Sequence, residues 1–107
     1  MKLTSKQRKE LEALAHDLDP AIRLGKNGIT PTFVQSVRDN LAAQELVKIK
    51  ILDNSSVEPD QAASKLVEQT GATLVRLIGR TIILFHPNPK KKGRIVLSGE
   101  GPVGERD

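Results

Sequence analysis

The residues best suited to chemistry lie in one short stretch, Gly25-Lys26-Asn27-Gly28. Two glycines at that spacing let the backbone approach a bulky anion and take positive φ with no side chain in the way. Lys26 adds a full positive charge, and Asn27 adds a donor that also tolerates left-handed backbone. Those are the parts needed to hold a phosphodiester backbone without reading its sequence. The bland reading is a plain strand-to-helix turn in which Gly and Asn merely satisfy φ > 0. Spacing alone does not separate the two, because eight glycines in 107 positions give roughly 0.6 such pairs by chance. The chain carries its own control in Gly101-Pro102-Val103-Gly104, which has the same spacing but no strand before it and no helix after it. Around the first pair, Ile22-Arg23-Leu24 alternates like a short strand, and Thr30-Pro31 pairs a good N-cap with a residue suited to the first helical position. A helix start there offers N–H groups and partial positive charge to an anion.

Other chemistries find no support. There is no cysteine, which excludes a disulfide framework, a thiol nucleophile, a zinc knuckle and an iron–sulfur site. Without Trp or Tyr, and with only two Phe, rows of stacking aromatics are excluded as an RNA platform. His16 and His86 fall in different elements, so no metal site is expected, and His16 is expected to meet the terminal carbonyls of its helix. Glu10/Glu12 and Asp17/Asp19 are two residues apart, which puts them on different helical faces and rules against an acid–base pair. GxSxG, P-loop and HExxH patterns are missing, so no enzymatic activity, cofactor or small-molecule substrate is expected. Lys48 and Lys50 alternate along a strand, and Arg80 sits in a turn. With Arg23 they read either as a wider cationic footprint or as solvated strand surface and turn filler.

Charge is unevenly spread. Residues 1–50 carry nine basic and six acidic side chains, 51–70 one and four, 71–95 six and none, and the last twelve one and three. The total is +4 and the pI about 9.6. An acidic middle between basic stretches gives one basic and one acidic face, or an ordinary solvated surface; the excess favours a polyanionic partner. No apolar run is long enough to span a membrane, and the N-terminal residues lack the apolar stretch of a signal peptide, so a cytoplasmic protein is expected.

The elements that must position these residues follow from periodicity. Thr4 and Gln7 fit a capping box, and Leu11, Leu14, Ala15 and Leu18 share a face, giving a helix at about 4–17. A strand is expected at 21–24 and a helix at about 31–43. Leu46 to Leu52 alternates as a strand with one dry and one basic face. Pro59 and Asp60 open a third helix that Gly71 is placed to end. Thr73–Ile78 and Thr81–Phe85 form a hairpin about Gly79-Arg80, a type II′ signal. The result is an α/β two-layer sandwich of order α-β-α-β-α-β-β. It has a four-stranded mixed sheet, helices mainly on one face, and Arg23, Lys48 and Lys50 directed to the other. One domain is expected at 1–87. Residues 88–107 are expected to be a mostly flexible tail, basic at Lys90-Lys91-Lys92 and Arg94, then Gly-rich, with 94–97 available as a short edge strand.

Four separated blocks now point to a family. They are Leu3-Thr4-Ser5-Lys6-Gln7-Arg8 with Leu14-Ala15-His16; Leu24-Gly25-Lys26-Asn27-Gly28-Ile29-Thr30; Glu45-Leu46-Val47-Lys48-Ile49-Lys50; and Glu68-Gln69-Thr70-Gly71-Ala72 with Val75 to Ile82. In this order they resemble the YhbY-like proteins, the bacterial single-domain form of the CRM (chloroplast RNA splicing and ribosome maturation) domain. The resemblance covers most of 3–87. It departs from the family pattern at Glu10, Glu12 and Phe85-His86, where positive charge or a hydroxyl is lost. It implies a mixed four-stranded sheet similar to the C-terminal domain of translation initiation factor three. It also implies a non-enzymatic RNA-binding protein associated with precursors of the large ribosomal subunit. Gly25, Lys26, Asn27 and Gly28 become the expected RNA contact, and Arg80 fills the family's basic position after the hairpin glycine. The resulting expectation is a monomeric ribosome-assembly factor that binds ribosomal RNA through Gly25, Lys26, Asn27, Gly28, Arg23, Lys48, Lys50 and Arg80. The rival expectation is a protein-binding accessory factor of the translation apparatus that uses Asp53, Glu58, Asp60 and Glu68.

Overall fold

A capping box starts the chain's first helix: the Thr4 hydroxyl accepts from the Gln7 amide at 3.0 Å, and the Gln7 side chain accepts from the Thr4 amide at 2.9 Å. The computed structural model describes residues 2–87. Its elements are α1 (Ser5–His16), β1 (Ile22–Leu24), α2 (Pro31–Gln44), β2 (Leu46–Ile51), α3 (Pro59–Thr70), β3 (Thr73–Ile78) and β4 (Thr81–Phe85). The order is the expected one, and each boundary falls within a residue or two of the periodicity reading. The tail expected at 88–107, with its short strand at 94–97, lies outside the described residues.

The sheet runs β1-β2-β4-β3. β1 is parallel to β2, and β4 is antiparallel to both of its neighbours. β3 and β4 are consecutive in sequence, yet β4 sits between β2 and β3. The crossover through α3 therefore leaves one strand's width, which the hairpin fills on its return. A central strand needs cover on both faces, and Ile82, Ile83, Leu84 and Phe85 are all buried. At the hairpin tip Gly79 has φ +56° while Arg80 does not take positive φ, the sign pattern a type II′ turn requires.

Helices α2 and α3 cover one face. Their Val37, Leu41, Ala62, Ala63 and Leu66 pack on Val47, Ile49, Ile51, Ile82 and Leu84. α1 covers part of the other face, where Leu11 and Ala15 meet Leu46, Val75, Ile83 and Phe85. Two polar contacts fasten it. A β-bulge between Leu74 and Arg76 interrupts the ladder, and the Arg8 guanidinium donates to the carbonyls of Leu74 (2.7 Å) and Val75. Arg76 pairs with Glu12 at 3.1 Å. The second face, which the sequence leaves uncovered or only partly covered, is thus half roofed by α1 and half open.

Leu11 is fully buried under α1. Leu11→Ala is expected to lower the unfolding free energy by about 2–5 kcal/mol through lost transfer energy and an unfilled cavity. The check is the urea midpoint at constant m-value. A loss below about 1 kcal/mol would show that α1 lies outside the cooperative unit.

Candidate nucleic-acid interface

β1 is only three residues long, but it is pinned at both ends. The Ala21 amide donates to the Lys48 carbonyl at 2.9 Å, and the Leu52 amide donates to the Leu24 carbonyl at 2.8 Å. The chain then leaves the sheet as a turn, Gly25 to Gly28, closed by the Gly28 amide donating to the Gly25 carbonyl at 3.2 Å. Gly28 takes φ +70°, so a side chain there is strained whatever the space. The segment after β2 backs the turn: Asn54 and Leu52 lie 3.7 and 3.8 Å from a Cβ built on Gly25, and Val57 lies 3.8 Å from one built on Gly28. With its inner side supported, the turn directs Lys26 and Asn27 outward, and both are exposed. Among the described residues, no carboxylate accepts from a loop amide or pairs with Lys26.

The start of α2 contributes less than its position alone promises. Pro31 has no N–H, the Phe33 amide is taken by the Thr30 hydroxyl at 3.1 Å, and the Val34 amide by the Thr30 carbonyl at 3.0 Å. At this helix start, the Thr30 and Thr32 amides are left without an acceptor among the described residues. The helix dipole remains, but the cap already satisfies much of the first turn.

The remaining cations divide into two kinds. Arg23 and Lys50 are register partners on β1 and β2, both exposed, on the face opposite α2 and α3. Like charges directly opposite across strands repel, and neither is paired with a carboxylate among the described residues. Lys48 and Arg80, by contrast, are half-buried and hold carbonyls. The Lys48 ammonium donates to the Ala15 and Leu18 carbonyls at 3.2 Å each and so caps the end of α1. That is the role expected of His16, which is exposed and makes no such bond among the described residues. The Arg80 guanidinium donates to Ile51 O at 3.2 Å and Leu52 O at 2.8 Å, while its own carbonyl accepts from the Ile51 amide at 2.7 Å. Arg80 thereby ties the hairpin tip to the end of β2.

One edge of the sheet therefore gathers the Gly25–Gly28 turn, Arg23, Lys50 and Arg80. It is the edge beyond the carboxyl ends of two parallel strands, where open α/β sheets bind ligands. Lys48 stands one row back, beside α1. The exposed carboxylates of Glu58, Asp60 and Glu68 belong to the α3 layer on the opposite face, while Asp53 lies at the loop edge. Among the described residues, no three His, Asp or Glu side chains gather into a metal site. Sequence reading passed over Thr81 and Ile78, which share the open face; the signal was their parity with Lys50 across the sheet.

A family model described as the CRS1 / YhbY (CRM) domain matches residues 3–86. The chain is 33% identical over 90 residues to "Probable RNA-binding protein YqeI" of Bacillus subtilis, covering 84% of this chain and 94% of that one. It is 31% identical over 90 residues to a Haemophilus influenzae protein named "RNA-binding protein", covering 84% and 91%. It is also similar to the solution structure of the hypothetical protein SAV1595 from Staphylococcus aureus, with TM-score 0.69 and 34% identity over 81% of this chain and 91% of that one.

The two kinds of cation should respond oppositely to neutralisation. Lys48→Met and Arg80→Ala are each expected to cost about 1 kcal/mol, since they release backbone carbonyls from charged donors. Lys50→Gln removes repulsion from Arg23 and should leave stability unchanged or raise it by a few tenths of a kcal/mol, on the order of one cross-strand pair. Urea denaturation decides, and an equal loss in all three variants would contradict the division.

Proposed function

The chain belongs to the CRS1/YhbY (CRM) domain family, and from that premise we propose that it binds the ribosomal RNA of large-subunit precursors and assists ribosome assembly. RNA binding as a general role is supported by the family and by the names of the relatives above. The ribosomal target, a monomeric state and a cytoplasmic site of action are the finer parts of the proposal, the first of them drawn from the family resemblance. The role is one of binding rather than catalysis.

The observation that carries the reading is the outward turn. Lys26 and Asn27 project into solvent, no protein carboxylate engages the loop, and the turn continues into the exposed cations Arg23 and Lys50. Lys26 supplies charge to a phosphate, while the Asn27 amide and the exposed loop backbone supply donors. Gly28, at φ +70°, lets the backbone turn there without the strain a side chain would bring. Bases are not read by stacking: Phe85 is fully buried, and Phe33 packs half-buried against the core. The protein therefore recognises folded RNA by the placement of its phosphates. Lys48 and Arg80 enter chiefly through the elements they hold. Arg80 holds the hairpin tip to the end of β2, and Lys48 holds the end of α1 to β2.

Phosphate-dominated binding has a measurable signature. Neutralising about three phosphates through Lys26, Arg23 and Lys50 predicts that log K falls against log salt with a slope of about −2 to −3. Binding that ignores salt would contradict the mechanism. Replacing Lys26 and Asn27 together by Asp should abolish RNA binding and co-sedimentation with large-subunit precursors, with an unchanged thermal melt. If the pull-down of translation components survives both that variant and nuclease treatment, the rival reading through Glu58, Asp60 and Glu68 is the correct one.

A further inference from the structure

The half-face that α1 leaves open carries a row of side chains crossing all four strands. Register pairs Arg23 with Lys50, Lys50 with Thr81, and Thr81 with Ile78. Their neighbours along the strands, among them Leu24, Ile49, Ile82 and Leu77, pack into the core beneath α2 and α3. Alternation therefore places all four on the opposite face. α1 roofs the far end of that face, over Leu46, Val75 and Phe85. At ordinary strand spacing the row is about 14 Å long. It begins two residues before Gly25 and ends beside the hairpin tip that Arg80 ties down.

Folding alone does not account for this composition. Arg23 and Lys50 repel each other with no carboxylate between them. Thr81 is half-buried, and its hydroxyl has no hydrogen-bond partner among the described residues. Ile78 is 52% exposed at the end of the row. In sequence along the row stand two cations, a hydroxyl and an apolar group. An RNA strand offers matching groups: phosphates, ribose 2′-hydroxyls, and the apolar faces of sugar and base.

We propose that an RNA strand leaving the Gly25–Gly28 turn crosses the sheet along this row. Arg23 and Lys50 meet phosphates, the Thr81 hydroxyl meets a 2′-hydroxyl, and Ile78 packs on a sugar or base. The inference rests on the RNA-binding reading and adds a path to it, together with a reason to prefer RNA over DNA. An anionic lipid surface would also suit cations beside an isoleucine. Continuity with the loop, and the hydroxyl between cations and isoleucine, favour nucleic acid.

The test uses the full chain, a hairpin RNA with a single-stranded extension, and DNA of the same sequence, with affinity read by fluorescence anisotropy. Ile78→Glu should weaken RNA binding about tenfold, whereas Gln61→Glu, an equal charge change on the exposed side of α3, should alter it less than about twofold. Thr81→Val should lower RNA affinity about threefold and leave DNA affinity unchanged. Urea midpoints identify any variant whose loss reflects folding; because Ile78 is exposed and Thr81 lies at the hairpin, both should remain native. The path is overturned if Ile78→Glu acts no more strongly than Gln61→Glu, or if Thr81→Val weakens RNA and DNA alike. It is also overturned if Ile78→Glu releases the protein from phosphatidylglycerol vesicles while RNA affinity stands. Should RNA binding be lost in the Lys26→Asp/Asn27→Asp variant and retained in Ile78→Glu, the path alone falls. If the unaltered chain binds neither nucleic acid, the RNA-binding reading falls with it.

Discussion

The pairing of three residues of β1 with β2 is the constraint on which the rest of the molecule depends. Ile22, Arg23 and Leu24 lie parallel to Ile49, Lys50 and Ile51, with a backbone hydrogen bond just beyond each end. A strand this short has little pairing energy of its own, so the buried Leu24 and the packing of α2 must hold it. Because the pairing is parallel, the carboxyl ends of β1 and β2 open on the same edge. The glycine-flanked turn and the segment after β2 emerge there together, each supporting the other. The same pairing sets Arg23 against Lys50. The loop and the adjacent cations are therefore consequences of one register.

The cations show why a count of positive charge is a poor guide to a binding surface. Lys48 and Arg80 spend their donors on backbone carbonyls, one closing a helix and the other anchoring a hairpin. Arg76 is matched by Glu12. At the loop edge of the sheet Arg23, Lys26 and Lys50 remain, exposed and without ion pairs among the described residues. The folded chain by itself gains nothing from keeping two of them side by side. A polyanion would repay the repulsion when it binds.

Much of the fold was legible in local chemistry. The Thr4/Gln7 box, the Thr30-Pro31 start and the Gly79-Arg80 turn each act within a few residues, and each is present. Strand order was less accessible, because it depends on long-range packing. Yet Thr81-Ile-Ile-Leu-Phe85 is an unbroken apolar run rather than an alternation, which is how a strand buried on both faces reads. That α1 is the element roofing part of the second face shows only in the structure. The loop's outward turn followed from Gly28 and its neighbours. The structural duty of Lys48 did not, since its acceptors lie about thirty residues away at the end of α1. His16 was the nearer candidate in sequence and not the one in space. The open row ending at Ile78 likewise needed the register of all four strands before it could be seen.

The central claim is that RNA meets the loop edge and not the helix layer. Amide chemical shifts followed through a titration with hairpin RNA test this most directly. The account predicts the largest changes at Arg23, Lys26, Asn27, Gly28 and Lys50, with Gln61, Ser64 and Glu68 on α3 unmoved. Changes centred on α3, with Lys26 and Asn27 silent, would contradict it.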